Sequence, residues 1–239
     1  MDDLVRHIAV ILARGGSKRL PRKNILELQG RPMIAWTIEA ALQAGCYHRV
    51  LVSTDDEEIA AISRAAGAEV PFLRDSAADD MAPSSAATLV ALGQAERHWG
   101  ECYGIVSQLM ANCPLRSATE IRDAVENFHE RGAEFQLSCF RFGWMNPWWA
   151  AKLGDQGQPE FLFPEARAQR SQDLSPLYCP SGAIWIAGCE SLRRIGTFYG
   201  PGHILHPMHW MAALDIDDTE DLAMARACLH DAMRAGGKR

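Results

Sequence analysis

Short apolar runs alternate with amphipathic stretches through the first seventy-odd residues, and this alternation most narrows what the chain can become. Residues 8–12 (Ile-Ala-Val-Ile-Leu) form a continuous apolar run that reads as a strand buried on both faces. Residues 33–44 carry Ile34, Ile38, Ala41 and Leu42 at helical spacing, with Gly45 as the stop. Residues 49–54 (Arg-Val-Leu-Val-Ser-Thr) read as a second strand, after which Asp55 is expected to cap a helix with Ile59, Ile62 and Ala66 inward and Gly67 at its end. Residues 69–73 complete the pattern as a third strand. Strand, helix, strand, helix, strand at this spacing predicts right-handed crossovers and an α/β, doubly wound, mostly parallel sheet. Ligands of such sheets bind beyond the carboxyl ends of the strands.

The stretch at the first of those strand ends is the most unusual in the chain. Residues 13–24 read Ala-Arg-Gly-Gly-Ser-Lys-Arg-Leu-Pro-Arg-Lys-Asn, with Arg14, Lys18, Arg19, Arg22 and Lys23 falling in ten residues and no acid among them. The whole chain carries a net charge of -6, so this positive charge is local. Gly15 and Gly16 allow a close backbone approach or a positive φ. Backbone N–H groups flanked by Lys and Arg describe a cradle for a polyphosphate, and a solvated basic loop is the plainer alternative. Neither G-x-x-x-x-G-K-[ST] nor G-x-G-x-x-G occurs.

The same stretch resembles the opening signature of the CMP-sialic acid synthetase (acylneuraminate cytidylyltransferase) family, A-R-x-x-S-K-x-x-P-x-K-N, through Ala13, Arg14, Ser17, Lys18, Pro21, Lys23 and Asn24. The resemblance runs on over nearly the whole chain and implies a Rossmann-like nucleotidyltransferase. It places Ala13, Arg14, Gly15, Ser17, Lys23 and Asn24 around a bound nucleotide. Ser53-Thr54-Asp55 is similar to a strand-end element beside that nucleotide. Arg74 follows the third strand, and by resemblance it lies near the nucleotide, although a surface arginine reads the same way. In the loop Asp79-Asp80-Met81-Ala82-Pro83-Ser84-Ser85, Ser84 or Ser85 fits a hydroxyl that touches the nucleotide, or a plain helix cap.

Residues 105–109 (Ile-Val-Ser-Gln-Leu) read as a strand, and Asn112-Cys113-Pro114-Leu115-Arg116 as a turn opening the helix 119–131, with Ile121, Val125 and Phe128 inward. This resembles the family's Q-x-x-x-x-P-L-R element and implies that Gln108 faces the sugar; an exposed strand glutamine is the alternative. After a strand at 134–140, Phe142-Gly143-Trp144-Met145-Asn146-Pro147-Trp148-Trp149 holds three of the seven tryptophans. Such a cluster can wall a sugar pocket, meet a second subunit or form a satellite core. Residues 154–159 read as a hairpin-like turn, so 141–182 is expected to be an excursion from one domain spanning 1–239, and the resemblance implies that it shapes the sugar pocket and a homodimer contact. Arg170-Ser171-Gln172-Asp173-Leu174 and the later Pro180-Ser181-Gly182-Ala183-Ile184 resemble the family's R-x-Q-x-L and N-G-A-I. The resemblance puts Arg170 and Gln172 on the acidic sugar, a carboxylate suiting a forked donor. Cys179 and Ser181 depart from the sialic acid pattern on the sugar side, which leaves a pseudaminic- or legionaminic-type sugar open.

Near the carboxyl end, Asp215-Ile216-Asp217 alternates two carboxylates on one side of an extended segment with Ile216 inward. Two such carboxylates repel unless a cation joins them, and Mg²⁺ typically takes one or two carboxylates together with substrate phosphates. The family's D-I-D matches here. Asp218 is expected to cap a final helix carrying Leu222, Ala225 and Leu229. His203, His206 and His209 recur every third residue, but Pro207 breaks a helix that would align them as zinc ligands.

Bulk properties bound the function. A pI near 5.7 argues against nucleic-acid binding. The apolar run before residue 14 is too short to span a membrane, and Asp2 and Asp3 precede it where a signal peptide is basic. Seven scattered cysteines without C-x-x-C suit reduced thiols in a cytoplasm. The cradle and the paired acids suit phosphoryl or nucleotidyl transfer, and the resemblance implies that CTP binds over the first loop, with Mg²⁺ on Asp215 and Asp217. Arg14 and Lys23 would act as catalytic charges, and Gln108 and Arg170 would seat the sugar. A glycosyltransferase using a nucleotide-sugar, or an inactive nucleotide-binding regulator, would share parts of this equipment.

Overall fold

In the computed structural model, residues 5–76 and 83–236 are described. The expected loop residues Asp79, Asp80, Met81 and Ala82 lie outside them. In chain order the elements are β1 (His7–Leu12), β2 (Glu27–Leu28), β3 (Arg31–Pro32), α1 (Met33–Ala44), β4 (Arg49–Ser53), α2 (Glu57–Ala65) and α3 (Ser84–Trp99). They continue with β5 (Ile105–Met110), α4 (Ala118–Glu130), β6 (Phe135–Arg141), β7 (Ala151–Leu153), β8 (Pro159–Phe161), β9 (Tyr178–Gly188), α5 (Cys189–Ile195), β10 (Ile204–Met208) and α6 (Thr219–Gly236). The main sheet has six strands in the order β10-β6-β9-β5-β1-β4. Neighbours pair in parallel except at β9, which runs antiparallel to both β5 and β6.

The continuous apolar run of β1 has a direct explanation, because helices cover both faces of the strand. Ala9 and Ile11 pack with Ile34, Ile38, Ile121, Val125 and Phe128 of α1 and α4. Ile8 and Val10 pack with Ala87, Ala91 and Leu92 of α3 and Leu192 of α5. A third, smaller cluster decides where the two ends of the chain meet. Leu20 of the basic loop, Leu28 and Met33 pack with Ile216, Leu222, Ala225 and Leu229. Ile216 is fully buried, so the flanking acids must face the other way.

Two local expectations are corrected. The third strand is reduced to one parallel bridge, Leu51 to Glu69, because Pro71 has no N–H with which to extend a ladder. Asp56, not Asp55, caps α2, its side chain accepting from Ile59 N at 3.0 Å. Asp55 is thereby released for another bond.

Between β6 and β9 the chain leaves the sheet. β7 and β8 pair as a separate antiparallel hairpin, turning at Gly157 with φ 81°. Trp148 donates from Nε1 to Ser175 O at 2.8 Å and meets Phe163 edge-on at 5.0 Å, a small satellite core. Trp144 is 85 % exposed, with Met145, Leu153 and Leu162 also exposed nearby in the chain.

Candidate active site

The basic loop leaves the carboxyl end of β1 and is braced from several sides. Asn24, nearly buried, donates from Nδ2 to Arg14 O at 3.0 Å and closes the loop on itself. Gly15 N donates to Asp55 Oδ1 at 2.9 Å. Neither Gly15 nor Gly16 has a positive φ, so of the two uses of glycine only a close approach applies there; the left-handed residue of the loop is Arg22, at φ 57°. Arg22 pairs with Asp56 and Glu58, and its hydrogen bond holds the Asp56 carboxyl below the usual range. Ser17 is half-buried and Lys18 exposed.

Arg74 is buried rather than a surface residue. Its Nη1 donates to Ser53 O at 3.0 Å and Ser53 Oγ at 3.2 Å. Burial lowers its pKa, with the Arg14 charge acting in the same direction and Asp55 opposing it, so the three lie within electrostatic reach. Pro83 precedes α3 with no side-chain cap, so Ser84 is not a cap through its hydroxyl. Ser85 is buried, its Oγ accepting from Phe198 N at 3.4 Å.

The basic loop and the acidic couple, 194 residues apart, meet directly. Lys23 Nζ lies 2.6 Å from Asp217 Oδ1, and Arg19 pairs with Asp217 Oδ2. Sequence reasoning missed the residue that joins the acids to the sheet. Asn112, just past β5, donates from Nδ2 to Asp215 Oδ1, to Ile216 O at 3.1 Å and toward Asp217 Oδ1 at 3.4 Å, while its O accepts from Ile216 N at 2.9 Å. The only signal in the sequence was its place just past a strand's carboxyl end. Asp218 caps α6 as expected, its Oδ1 accepting from Glu220 N at 2.8 Å and Asp221 N at 3.0 Å.

The two acids differ in electrostatics. Burial of the carboxyl and the Asp217 charge push Asp215 up to about 6, although the residue as a whole keeps a side open to solvent. Burial acts to raise Asp217 too, but the bond and charge of Lys23, with Arg19, outweigh it and hold Asp217 below its ordinary value. Beside them Cys113 is fully buried, and burial pushes its thiol up to about 12. Such a thiol is inert at neutral pH. Among the described residues, no group of three or more His, Cys, Asp or Glu is gathered for a metal. His203 bonds Gly200 O, His209 Nδ1 accepts from Met211 N, and His206 is part of β10.

The sugar-side residues are not drawn into this cluster. Gln108 stands six positions before Pro114, one more than the motif requires, and a one-residue offset turns a strand side chain to the opposite face. It is fully buried against α3, its Oε1 2.8 Å from Thr88 Oγ1, and exposes no surface to a sugar; nor is it the exposed strand glutamine of the alternative. Arg170 is exposed and bonds Asp173 at 2.7 Å, and Gln172 is exposed beside it. Arg116 is nearly inaccessible, donating to Ala183 O and Met110 O, so it supports β9 from within.

The Cytidylyltransferase family model matches residues 8–145. Over 224 residues the chain is 32 % identical to the pseudaminic acid cytidylyltransferase of Campylobacter jejuni (serotype O:23/36), covering 93 % of this chain and 95 % of that one. The chain belongs to the cytidylyltransferase family. As a member it is a nucleotidyltransferase enzyme, which sets aside the glycosyltransferase alternative. It is also 34 % identical to the CMP-N,N'-diacetyllegionaminic acid synthase of Legionella pneumophila, over 92 % of this chain and 94 % of the relative. In fold this cytidylyltransferase is similar to a CMP:2-keto-3-deoxy-manno-octonic acid synthetase solved with CTP, with a TM-score of 0.71, 17 % identity, and coverage of 95 % and 99 % of the two chains. Among the described residues no helix is long and apolar enough to cross a membrane.

Proposed function

We propose that this enzyme activates a nine-carbon acidic sugar of the pseudaminic or legionaminic type with CTP, giving the CMP-sugar and pyrophosphate. The observation that carries the proposal is the 2.6 Å contact of Lys23 with Asp217, which joins a cationic loop to an acidic couple at the carboxyl end of β1. Relatives of nearly equal length act on those two sugar types by name, which supports the sugar class. In the reaction the anomeric hydroxyl oxygen attacks the α-phosphorus, releasing its proton. The bond from that phosphorus to the bridging oxygen breaks, and pyrophosphate leaves. Arg14 and Lys23 neutralise charge on the α-phosphate and the departing group, and Ala13, Gly15, Ser17, Asn24 and Arg74 shape the nucleotide loop.

Asp215 and Asp217 would hold Mg²⁺. Both present an oxygen to the one Asn112 nitrogen, and two hard oxygen donors leave places for phosphates and water. When bound, the ion would supply charge neutralisation and alignment of the triphosphate. We place Arg170 and Gln172 on the sugar carboxylate, which requires Arg170 to exchange its partner Asp173. The exposed apolar surface of Trp144, Met145, Leu153 and Leu162 supports a homodimer, and the reduced thiols support a cytoplasmic site.

The test is pyrophosphate release with CTP, Mg²⁺ and a panel of nonulosonates, with the product identified by mass. CMP-pseudaminate or CMP-legionaminate is expected. CTP binding without turnover on any sugar would instead indicate an inactive regulator.

A further inference from the structure

Lys23 opens a single 3-10 turn, Lys23–Ile25, at the end of a stretch of glycines and cations with little regular structure, so the entry to that turn must aim it. The residue before it, Arg22, is held at φ 57°, ψ 26°, in the left-handed region that a long side chain rarely adopts. Such a conformation persists when its surroundings over-determine it. Here both guanidinium Nη atoms reach the Asp56 carboxylate, Nη2 at 3.3 Å from Oδ1, and Nη2 also pairs with Glu58. The same carboxylate caps α2 through Ile59 N at 3.0 Å. The same side chain also closes over Gly15. A Cβ placed there would lie 2.6 Å from Asp56 Oδ2 and 3.0 Å from its Cβ. Asp56 cannot swing aside without leaving both the cap and Arg22.

We infer that Asp56 is a positioning residue for nucleotidyl transfer: it clamps Arg22 so that Lys23 meets the acidic couple, and its packing is why position 15 carries no side chain. The inference rests on the functional reading above and adds the device that orients its loop. It also gives Gly15 a reason independent of any phosphate. Gly16, by contrast, has open space where a Cβ would go.

The test is steady-state kinetics with CTP varied, alongside melting temperatures, for Arg22→Ala, Arg22→Lys, Gly15→Ala, Asp56→Ser and the double variant Gly15→Ala/Asp56→Ser. Arg22→Ala is expected to lower kcat/KM for CTP about tenfold or more, with the KM for the sugar unchanged, and Arg22→Lys to recover part of that loss. Serine still caps a helix but is shorter. Gly15→Ala is therefore expected to lower the melting temperature markedly in the native background and less beside Asp56→Ser, where the 2.6 Å contact with Oδ2 is gone and the 3.0 Å contact with the Cβ stays. An equal cost of Gly15→Ala in both backgrounds, or native kinetics in Arg22→Ala, would overturn the inference. If Gly15→Ala does not fold alone, the Arg22 pair still decides. A native enzyme that makes no pyrophosphate from CTP would sink the functional reading instead, and the melting-temperature cycle would still test the contact.

Discussion

Asn112 shows how much one side chain can hold together at this site. Its side-chain nitrogen faces Asp215, Asp217 and the carbonyl of Ile216, beside a backbone bond from Ile216 N to its main-chain carbonyl. Replacing it by alanine removes the shared donor and leaves a buried carbonyl without its partner. Asn112→Ala is expected to lower turnover about 10- to 100-fold, as loss of an orienting outer partner does, and to destabilise by about 1–3 kcal/mol. Turnover and a denaturant midpoint check both. The charged residues at this scale were legible from sequence because their pattern is chemically odd: five cations without an acid, and two acids flanking one apolar residue. Asn112 and Asp56 were not, because capping and bridging depend on which loops the fold brings together; for the same reason Asp55, placed beside the loop by resemblance, was misread as the cap of α2. Gln108 was misread for a related reason, since facing along a strand changes with a single step of register.

At the scale of elements, the site end of the sheet is balanced by a staple at the opposite end. Arg49, opening β4, makes paired bonds of 2.8 and 2.7 Å to Glu101 and one of 2.7 Å to Glu69, and stacks over Trp99 at 4.3 Å. Tyr103 donates to the same Glu101 at 2.7 Å. The Arg49 and Tyr103 hydrogen bonds hold the Glu101 carboxyl down to about 2. A depressed carboxylate contributes stability above its unfolded pKa of about 4.5, which is lost as pH falls toward the folded value. The gap in melting temperature between native protein and Glu101→Gln is therefore expected to be full above about pH 5 and to close as the pH falls below it. A gap that is constant with pH would contradict this. Helices and the central strands were legible from periodicity. The third strand was not, because apolar character said strand while Pro71 denied it a ladder. The antiparallel sense of β9 was likewise invisible, since direction depends on the path of the excursion between β6 and β9.

For the molecule as a whole, the exposed apolar surface of the excursion is expected to be covered by a second copy. Trp144→Asp with Leu153→Asp should convert a dimer to a monomer in light scattering after gel filtration; a native protein that is already a monomer would rule the contact out. The two chain ends are joined by apolar packing as well as charge, through Leu20 and Leu28 against Ile216, Leu222 and Leu229. That packing is why a cationic stretch and an acidic one so distant in sequence form one site. The central claim is that they act as one unit on one triphosphate. The measurement that tests it most directly is the rate of pyrophosphate release from CTP by Lys23→Ala, Asp217→Asn and the double variant. Each single change should cost at least about 100-fold, and the double little more than the worse single, as for residues that work together. Losses that simply multiply, or full turnover in either single variant, would contradict it.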